Sequence, residues 1–410
     1  MELHQKNPKK NQIIYSITMI KDYLTLAIKN IRHRSLRSWL TVIGIIIGIA
    51  SIVALISVSQ GLENAIKIQF EQMGSDKLYI MSNSATGLSE YLTQADVDLM
   101  ESLPEIEWVS PYIMVSDTVE YGNYKGFMSY ILGVDPAPFE KSMEEAAYGI
   151  EEGRYLEPNE RNSVMIGYRI SKDFYDKEVH VNNQLKIKDT KIKVVGIMGE
   201  IGNPQDDSQI YMNIEDIRSL FNKTTEVTMI QAKVKPGYDM DLVADKVTAK
   251  LEKKKEEKES FMVSTPEQLL KQFGDILMLV QVILGGIASI SLLVGGIGIM
   301  NSMYTAVLQR TREIGVMKSV GATNKAISSI FLIEGSLFGL VGGLIGIGLG
   351  TLIAYLVKYA AELAGYSILA IRINVTMLLF VLIFSVGIGL ISSWLPARRA
   401  VKLKPVEALK

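Results

Sequence analysis

The sequence predicts a membrane α-helical protein: four transmembrane helices, with a mixed α+β extracytoplasmic domain inserted between helices 1 and 2. Three observations carry this prediction. Four stretches (Ser38–Leu62, Ile276–Gln309, Gly335–Val357 and Ile373–Ala397) run without Asp, Glu, Lys, Arg or His, and each exceeds the ~20 residues that cross about 30 Å of hydrocarbon. Lys and Arg gather at alternate ends of those stretches. The block Glu63–Asp275, between the first two, is polar and long enough to bury a core of its own.

The averages conceal this segregation. The 410 residues are 48% hydrophobic and 21% charged, with a net charge of −1, yet mean hydropathy is positive at +0.20. Residues 63–275 hold 24 Lys+Arg against 38 Asp+Glu, and the rest of the chain holds 19 against 6. An acidic block is thus set against a basic remainder. The bland total gives no sign of a nucleic-acid partner. With no cysteine, disulfides, thiol nucleophiles and cysteine-based metal sites are excluded. The three histidines (His4, His33 and His180) are scattered, so no metal site is expected.

The elements follow in order. Residues 1–37 precede span one. The helix of span one outlasts the hydrocarbon: Leu62, Ala65, Ile66, Gln69, Phe70 and Met73 keep helical spacing until Gly74, placed as a C′ glycine. Residues 38–73 therefore read as transmembrane helix 1 and a stalk. On the return side, Thr265-Pro266-Glu267-Gln268 is a capping box with proline at N1. Nothing breaks the helix from there to Arg310, so 265–309 is the second stalk and span. At ~1.5 Å per residue these helices are roughly 55 and 65 Å long, nearly twice the bilayer core, and the excess should form a two-helix stalk.

Residues 74–264 form the outer domain. Alternation and β-branching predict strands at Lys77–Met81, Val109–Val119, Ser163–Ile166, Lys186–Ile197, Gln209–Met212 and Val227–Val234. Thr93–Ser102 reads as a short helix, and Asp239–Lys258 as a longer one with Val243, Val247 and Leu251 on one face. The charge run Lys253–Glu259 reads as a solvated helix face.

Residues 310–322 join spans two and three, 323–357 form helix 3, 358–372 a short outer loop, 373–397 helix 4, and 398–410 the C-terminus. Basic residues set the orientation. Lys29, Arg32, Arg34 and Arg37 precede span one; Arg310, Arg312, Lys318 and Lys325 lie between spans two and three; Arg398, Arg399, Lys402, Lys404 and Lys410 follow span four. Both termini and the second connection are thus placed in the cytoplasm, and residues 63–275 outside, in a multi-pass protein of the plasma membrane.

Two glycine series, Gly44-x-x-x-Gly48 and Gly342-x-x-x-Gly346-x-x-x-Gly350, suit close helix packing within or between protomers. Gly285, Gly286, Gly295 and Gly296 in span two read first as packing positions and second as points of bending. No phosphate loop occurs, nor any Gly-Lys pair, and H-E-x-x-H, G-x-S-x-G and G-x-G-x-x-G are absent too. No catalytic residue is nominated, and the chain is not expected to be an enzyme. Charge-free spans also argue against a proton relay or ion-coupled carrier.

The most informative segment is Gln309–Thr323. It reads as a short helix ending at Gly321, with Thr323 capping the next. Ile314, Met317 and Val320 make an apolar stripe, with Arg310, Arg312, Glu313 and Lys318 polar. An ordinary positive-inside loop and a rigid helix that docks another protein both fit this pattern.

Here the sequence resembles a known family. Arg310–Thr323 (RTREIGVMKSVGAT) with IFLIEG (Ile330–Gly335), the run Asn30–Gly61 and the C-terminal Leu395–Leu409 resemble the hallmarks of FtsX-like, MacB-type ABC transporter permeases. Met73–Ile80, Leu92–Met100 and Ile192–Ile197 are similar to the periplasmic core domain of such permeases.

The resemblance implies a division of labour. The permease dimerises, as a homo- or heterodimer, and binds a separate ABC ATPase subunit, which would hold the ATP and Mg; this chain needs no cofactor. Arg310, Arg312, Glu313, Ile314, Gly315, Met317, Lys318 and Gly321 would form the coupling helix that docks on the ATPase. Pro396, Arg398 and Arg399 match the C-terminal cytoplasmic motif. Ser16–Arg34 would be an amphipathic elbow helix with Ile20, Leu24, Ala27 and Ile31 toward lipid. ATP-driven closure would move the stalks and reshape the outer domain (mechanotransmission) for export or efflux. An extracellular adaptor is a further partner in such systems. The alternative is a signalling or regulatory module that controls an extracellular enzyme or senses a peptide. A plain structural anchor without an ATPase is a third reading. The resemblance assigns no substrate.

Overall fold

A computed structural model describes residues 36–82, 92–255 and 260–404. The proposed elbow Ser16–Arg34 lies outside them, as do residues 256–259 of the charge run and 405–409 of the C-terminal motif. The elements, in chain order, are α1 (Leu36–Met73), β1 (Lys77–Ser82), β2 (Leu92–Thr93), α2 (Gln94–Glu101), β3 (Ile106–Tyr121), β4 (Tyr124–Val134) and α3 (Pro136–Glu145). Next come β5 (Ile150–Gly153), β6 (Ser163–Ile166), α4 (Tyr168–Lys172), β7 (Gln184–Ile187), β8 (Thr190–Met198), β9 (Ile210–Asn213) and α5 (Ile214–Phe221). The rest are β10 (Glu226–Val227), β11 (Met229–Val234), α6 (Met240–Lys254), β12 (Phe261–Ser264), α7 (Pro266–Gln309), α8 (Thr311–Ser319), α9 (Asn324–Leu363) and α10 (Val375–Lys402).

The chain divides into two compact units. One comprises residues to Gly61, Leu277–Tyr359 and Ile371–Lys410; the other comprises Leu62–Ile276 and Ala360–Ala370. Among the described residues, four helices are long and apolar enough to cross a membrane: α1 (from Val42), α7, α9 and α10.

In the helical unit, Val42, Ile45, Ile49 and Val53 of α1 meet Leu292, Ile299 and Met303 of α7, Phe331 and Phe338 of α9, and Val381 of α10. Glycines let these backbones close. A Cβ on Gly44 would stand 2.8 Å from the Cα of Gly295, and one on Gly48 would stand 2.7 Å from Leu292 Cδ2. Gly342, Gly346 and Gly350 take the other side of α1, against Ile45, Ile49 and Ala50. A third seam joins α9 to α10, where Ser385 Oγ donates to Gly339 O at 2.6 Å and Gly335 lies against Gly389. Gly285 and Gly286 face open space. The packing role expected of them is therefore not met within the chain, because α7 exposes that stretch.

The second unit is the inserted α/β domain. Its main sheet runs β12-β1-β11-β3-β4-β9-β6-β8-β5, with β7 against β3 and β8. On one face, Leu78, Ile80, Ile230 and Ala232 pack with Val97 and Met100 of α2 and Val243, Val247 and Leu251 of α6. Farther along the sheet, Ile113, Val119, Ile131, Val164 and Ile192 form a second core with Ile170 and Ile217. A third cluster, with Tyr112, Leu132, Met165 and Tyr211, is covered by Phe139 of α3.

Several boundaries depart from the sequence reading. Lys186–Ile197 is a hairpin of β7 and β8, not one strand: Lys188 takes a left-handed conformation (φ 53°), which an unbroken alternation does not announce. Val227–Val234 splits at Thr228 into β10, which pairs with β2, and β11, which pairs with β1. Helix α6 stops at Lys254, where Lys255 turns extended. The loop expected over 358–372 is shorter, because α9 continues through Lys358 and Glu362. It ends only at Leu363, closed by Gly365 (φ 93°), where Tyr366 N–H donates to Ala361 O and Gly365 N–H to Glu362 O, a Schellman turn.

Both long helices end as their sequence signals require. Gly74 (φ 85°) closes α1. At α7, Gln268 N–H donates to Thr265 Oγ1 while Gln268 Oε1 accepts from Thr265 N–H, each at 3.2 Å. Phe70 and Phe273 set the extensions of α1 and α7 side by side, with ring centroids 6.1 Å apart.

Candidate functional site

The segment joining the second and third spans is a helix held from several sides. Helix α7 ends at Gln309, and Thr311 Oγ1 donates back to Leu308 O at 2.8 Å, closing the break. Helix α8 then runs nine residues to Ser319. Gly321 (φ 99°) lies just past its end; Ala322 N–H donates to Met317 O and Gly321 N–H to Lys318 O, again a Schellman turn. Thr323 Oγ1 accepts from Ala326 N–H at 3.2 Å, capping α9. Each of these terminations is a local property of the residues named.

The eight residues nominated for this segment divide by face. Ile314 is fully buried and Gly315 is buried with it, while Met317 packs on the helical core. Lys318 Nζ donates to the carbonyls of Val401 (2.5 Å) and Leu403 (2.7 Å), at the end of α10. Arg310 Nη1 lies 3.5 Å from Glu334 Oε2, whose carboxylate is wholly buried. Arg312, Glu313 and Gly321 are exposed. The structure thus uses five of the eight nominated residues to hold the helix and leaves three, Arg312, Glu313 and Gly321, on its surface.

Two features escape the sequence reading. Val320 does not continue the apolar stripe: it lies beyond the last helical residue and is 84% exposed. Val316, opposite Ile314, joins Arg312 and Glu313 on the outer face, at 46% exposure. Glu334 is the second. Spans delimited by charge begin at Gly335, yet α9 runs straight through Glu334 and buries it; its presence in IFLIEG, close to a basic segment, was the available signal.

The C-terminal residues sit at the same end of the helical unit. Pro396 and Ala397 are buried within α10. The Arg398 guanidinium stacks over Trp394 at 4.5 Å, and that of Arg399 lies 5.6 Å from the ring centre of Tyr304 on α7. Among the described residues no group of three or more His, Cys, Asp or Glu is placed to hold a metal ion.

Comparison with known proteins assigns this architecture. Residues 38–250 match the family model of the MacB-like periplasmic core domain, and residues 285–405 that of the FtsX-like permease C-terminal region. The chain belongs to the MacB-like, FtsX-like ABC transporter permeases. The permease is 36% identical over 393 residues to the uncharacterized ABC transporter permease MJ1507 of Methanocaldococcus jannaschii, covering 95% of this chain and 98% of that protein. It is 29% identical over 401 residues to the ABC transporter permease YknZ of Bacillus subtilis, covering 94% and 98%. The macrolide export ATP-binding/permease protein MacB of Bartonella quintana is 28% identical over 404 residues, covering 95% of the permease but 59% of that longer protein.

Proposed function

We propose that this permease couples ATP hydrolysis by a separate ATPase subunit to movements of its inserted domain, and that the transporter exports its substrate. One observation carries the reading: α8 is fixed to the helical unit by Ile314, Lys318 and Arg310, while Arg312, Glu313 and Val316 stand outward on one face. A short helix held rigid on one side and offered on the other is suited to receive a partner's stroke and pass it to the spans.

Permeases of ABC transporters work with an ATPase. The absence of any Gly-Lys pair from residues 1–410 supports placing ATP and Mg on another chain. So does the coverage of two relatives named as permeases, each matched over 98% of its length. The basic residues of α8 and of the end of α10 lie together, linked by Lys318, which supports placing both in the cytoplasm and the inserted domain outside. Dimerisation would supply docking helices for two ATPase copies. The conformational stroke, carried by α1 and α7 beside Phe70 and Phe273, would act on cargo already outside the hydrocarbon, in keeping with the scarcity of charge in the spans.

The test is affinity purification of the full chain in mild detergent. Wild type should bring down an ABC ATPase whose activity depends on the complex. A triple variant, Arg312→Ala, Glu313→Ala and Val316→Asp, should lose it while keeping the elution profile of the folded permease. Undiminished recovery of the ATPase with that variant would remove α8 as the docking element.

A further inference from the structure

The inserted domain carries a cavity that the proposed coupling does not use. Strand register builds it. On β1, Leu78 and Ile80 turn to the core under α2 and α6, and Tyr79 between them takes the other face; on β11, Ile230 and Ala232 do the same and Gln231 takes the other face. Tyr79 pairs directly with Gln231, Met229 with Tyr112, and Met114 with Leu132. Four neighbouring strands (β1, β11, β3 and β4) therefore contribute to one patch, which α3 and the loop around residues 201–209 enclose. The result is a cavity of about 270 Å³ lined by six aromatic rings: Tyr79, Tyr112, Tyr130, Phe139, Tyr148 and Tyr211. Met114, Met143 and Met229 add to the apolar lining, with Leu132, Ala146 and Ile201.

The polar groups of the wall are sorted by charge. Gln231 Oε1 accepts from Tyr112 (3.2 Å) and Ser142 (2.9 Å), and its amide donates to Tyr79 Oη (3.2 Å). Burial pushes the Tyr112 and Tyr148 phenols up to about 12, so both stay neutral. Lys77, almost fully buried, is matched by Glu145 Oε2 at 3.4 Å. Asp206 differs. Among the described residues its carboxylate meets only amide donors: Gln69 and Asn203 at Oδ2, each 3.0 Å, and Gln209 at Oδ1, 2.9 Å. Oδ1 therefore keeps an acceptor position; burial and the neighbouring Asp207 push the Asp206 carboxyl above the ordinary aspartate range, so a cation beside it is favoured.

We propose that this cavity binds a small organic ammonium ion with an aromatic or apolar body. Asp206 Oδ1 takes an N–H of the ammonium group, the ring faces take the cation and its body by cation–π and stacking contacts, and the methionines adapt to its shape. An anion is disfavoured, because Lys77 is already neutralised and Asp206 and Asp207 repel it. Gln69 belongs to the extension of α1, so the carboxylate that meets the ligand also holds that helix. This binding does not depend on the ATPase coupling proposed above.

Calorimetric titration of the full chain in lipid nanodiscs tests it, with tryptamine as probe, neutral tryptophol and anionic indole-3-propionate as controls, and empty nanodiscs as blank. Tryptamine should bind saturably and about tenfold more tightly than either control. Asp206→Asn should bring tryptamine to within about twofold of tryptophol. Tyr130→Leu touches none of the hydrogen bonds just described and should weaken tryptamine about fivefold, so it decides the matter if Asp206→Asn fails to fold. Tryptamine heats no different from the blank, equal affinity for all three probes, or indifference to Tyr130→Leu would each overturn the proposal.

Discussion

Lys318 Nζ lies 2.7 Å from the main-chain oxygen of Leu403, so the helix between spans two and three is fastened to the last turn of span four. The ammonium also meets Val401 O and fills acceptor positions that a helix end leaves open. Lys318→Met removes both bonds and should cost about 1.5–3 kcal/mol, the range for bonds to a charged donor. If α8 receives the ATPase's stroke as proposed, the variant should also lower ATP-driven output more than ATP turnover, because α8 would move without α10. Thermal unfolding in detergent and paired ATPase and transport assays read the two effects.

Glu334 and Arg310 call for a double-mutant cycle. Glu334 is fully buried, and Arg310, 3.5 Å away, is largely covered. Glu334→Ala leaves a poorly solvated guanidinium and should destabilise by about 3 kcal/mol. Pairing it with Arg310→Met should recover most of that loss. If the two losses simply add, the pair has no coupling.

Gly44 and Gly286 should respond in opposite ways to the same change. At Gly44 an added Cβ meets the backbone of Gly295, which cannot turn aside; Gly44→Ala should cost about 1–3 kcal/mol. At Gly286 the Cβ enters open space, and Gly286→Ala should be neutral or gain up to about 1 kcal/mol from helix propensity. Thermal midpoints of the two purified variants give the comparison.

Asp96 makes the inserted domain sensitive to acid. Its carboxylate accepts from the N–H (2.9 Å) and hydroxyl (3.0 Å) of Thr93 and pairs with Lys254 (2.9 Å) and Lys255 (3.3 Å). Burial alone would raise its pKa; the Lys254 hydrogen bond, the Thr93 N–H and Lys255 outweigh burial and hold it below the ordinary aspartate value. A carboxyl lowered in the folded state adds stability above its unfolded pKa and loses it as pH falls through the folded one. Asp96→Asn should therefore cost about 2 kcal/mol at neutral pH, and the difference from wild type should shrink below about pH 4. Denaturant unfolding followed by Trp108 fluorescence at several pH values measures both.

Orientation is open to a clean labelling test, because the sequence contains no cysteine. Asp189→Cys, at a side chain fully exposed on the inserted domain, should react with an impermeant thiol reagent on intact cells. Val320→Cys, also exposed, should react only after permeabilisation. The reverse pattern would invert the topology.

Legibility followed the range of the interactions. Helix ends were readable where one residue decides them, as at Gly74, Thr265, Gly321 and Thr323. Helical period puts Ile314 on the buried face, as it is, but does not hold for Val320, since the helix ends one residue earlier. Sequence shows Lys318 only as a polar residue of the segment, and its acceptors, the carbonyls of Val401 and Leu403, lie 83 and 85 residues away. Glu334 was hidden by the premise that charge ends a span; a partner such as Arg310 lets a carboxylate enter a buried helix. The cavity around Tyr79 and Gln231 depends on strand pairing across 152 residues, which no local pattern encodes.

The strand pair at the sheet edge has a mechanical consequence. Helix α1 feeds β1 through Gly74, and β12 feeds α7 through Thr265, with Tyr79 opposite Ser264 and Ser82 opposite Phe261. Both connections leave the pair at the same end. Drawing the two helices apart would therefore open β1 from β12 like a zipper, one hydrogen bond at a time, whereas pushing or pulling them together along their length would leave that pairing unloaded. This strand pair would resist a piston and yield to a wedge.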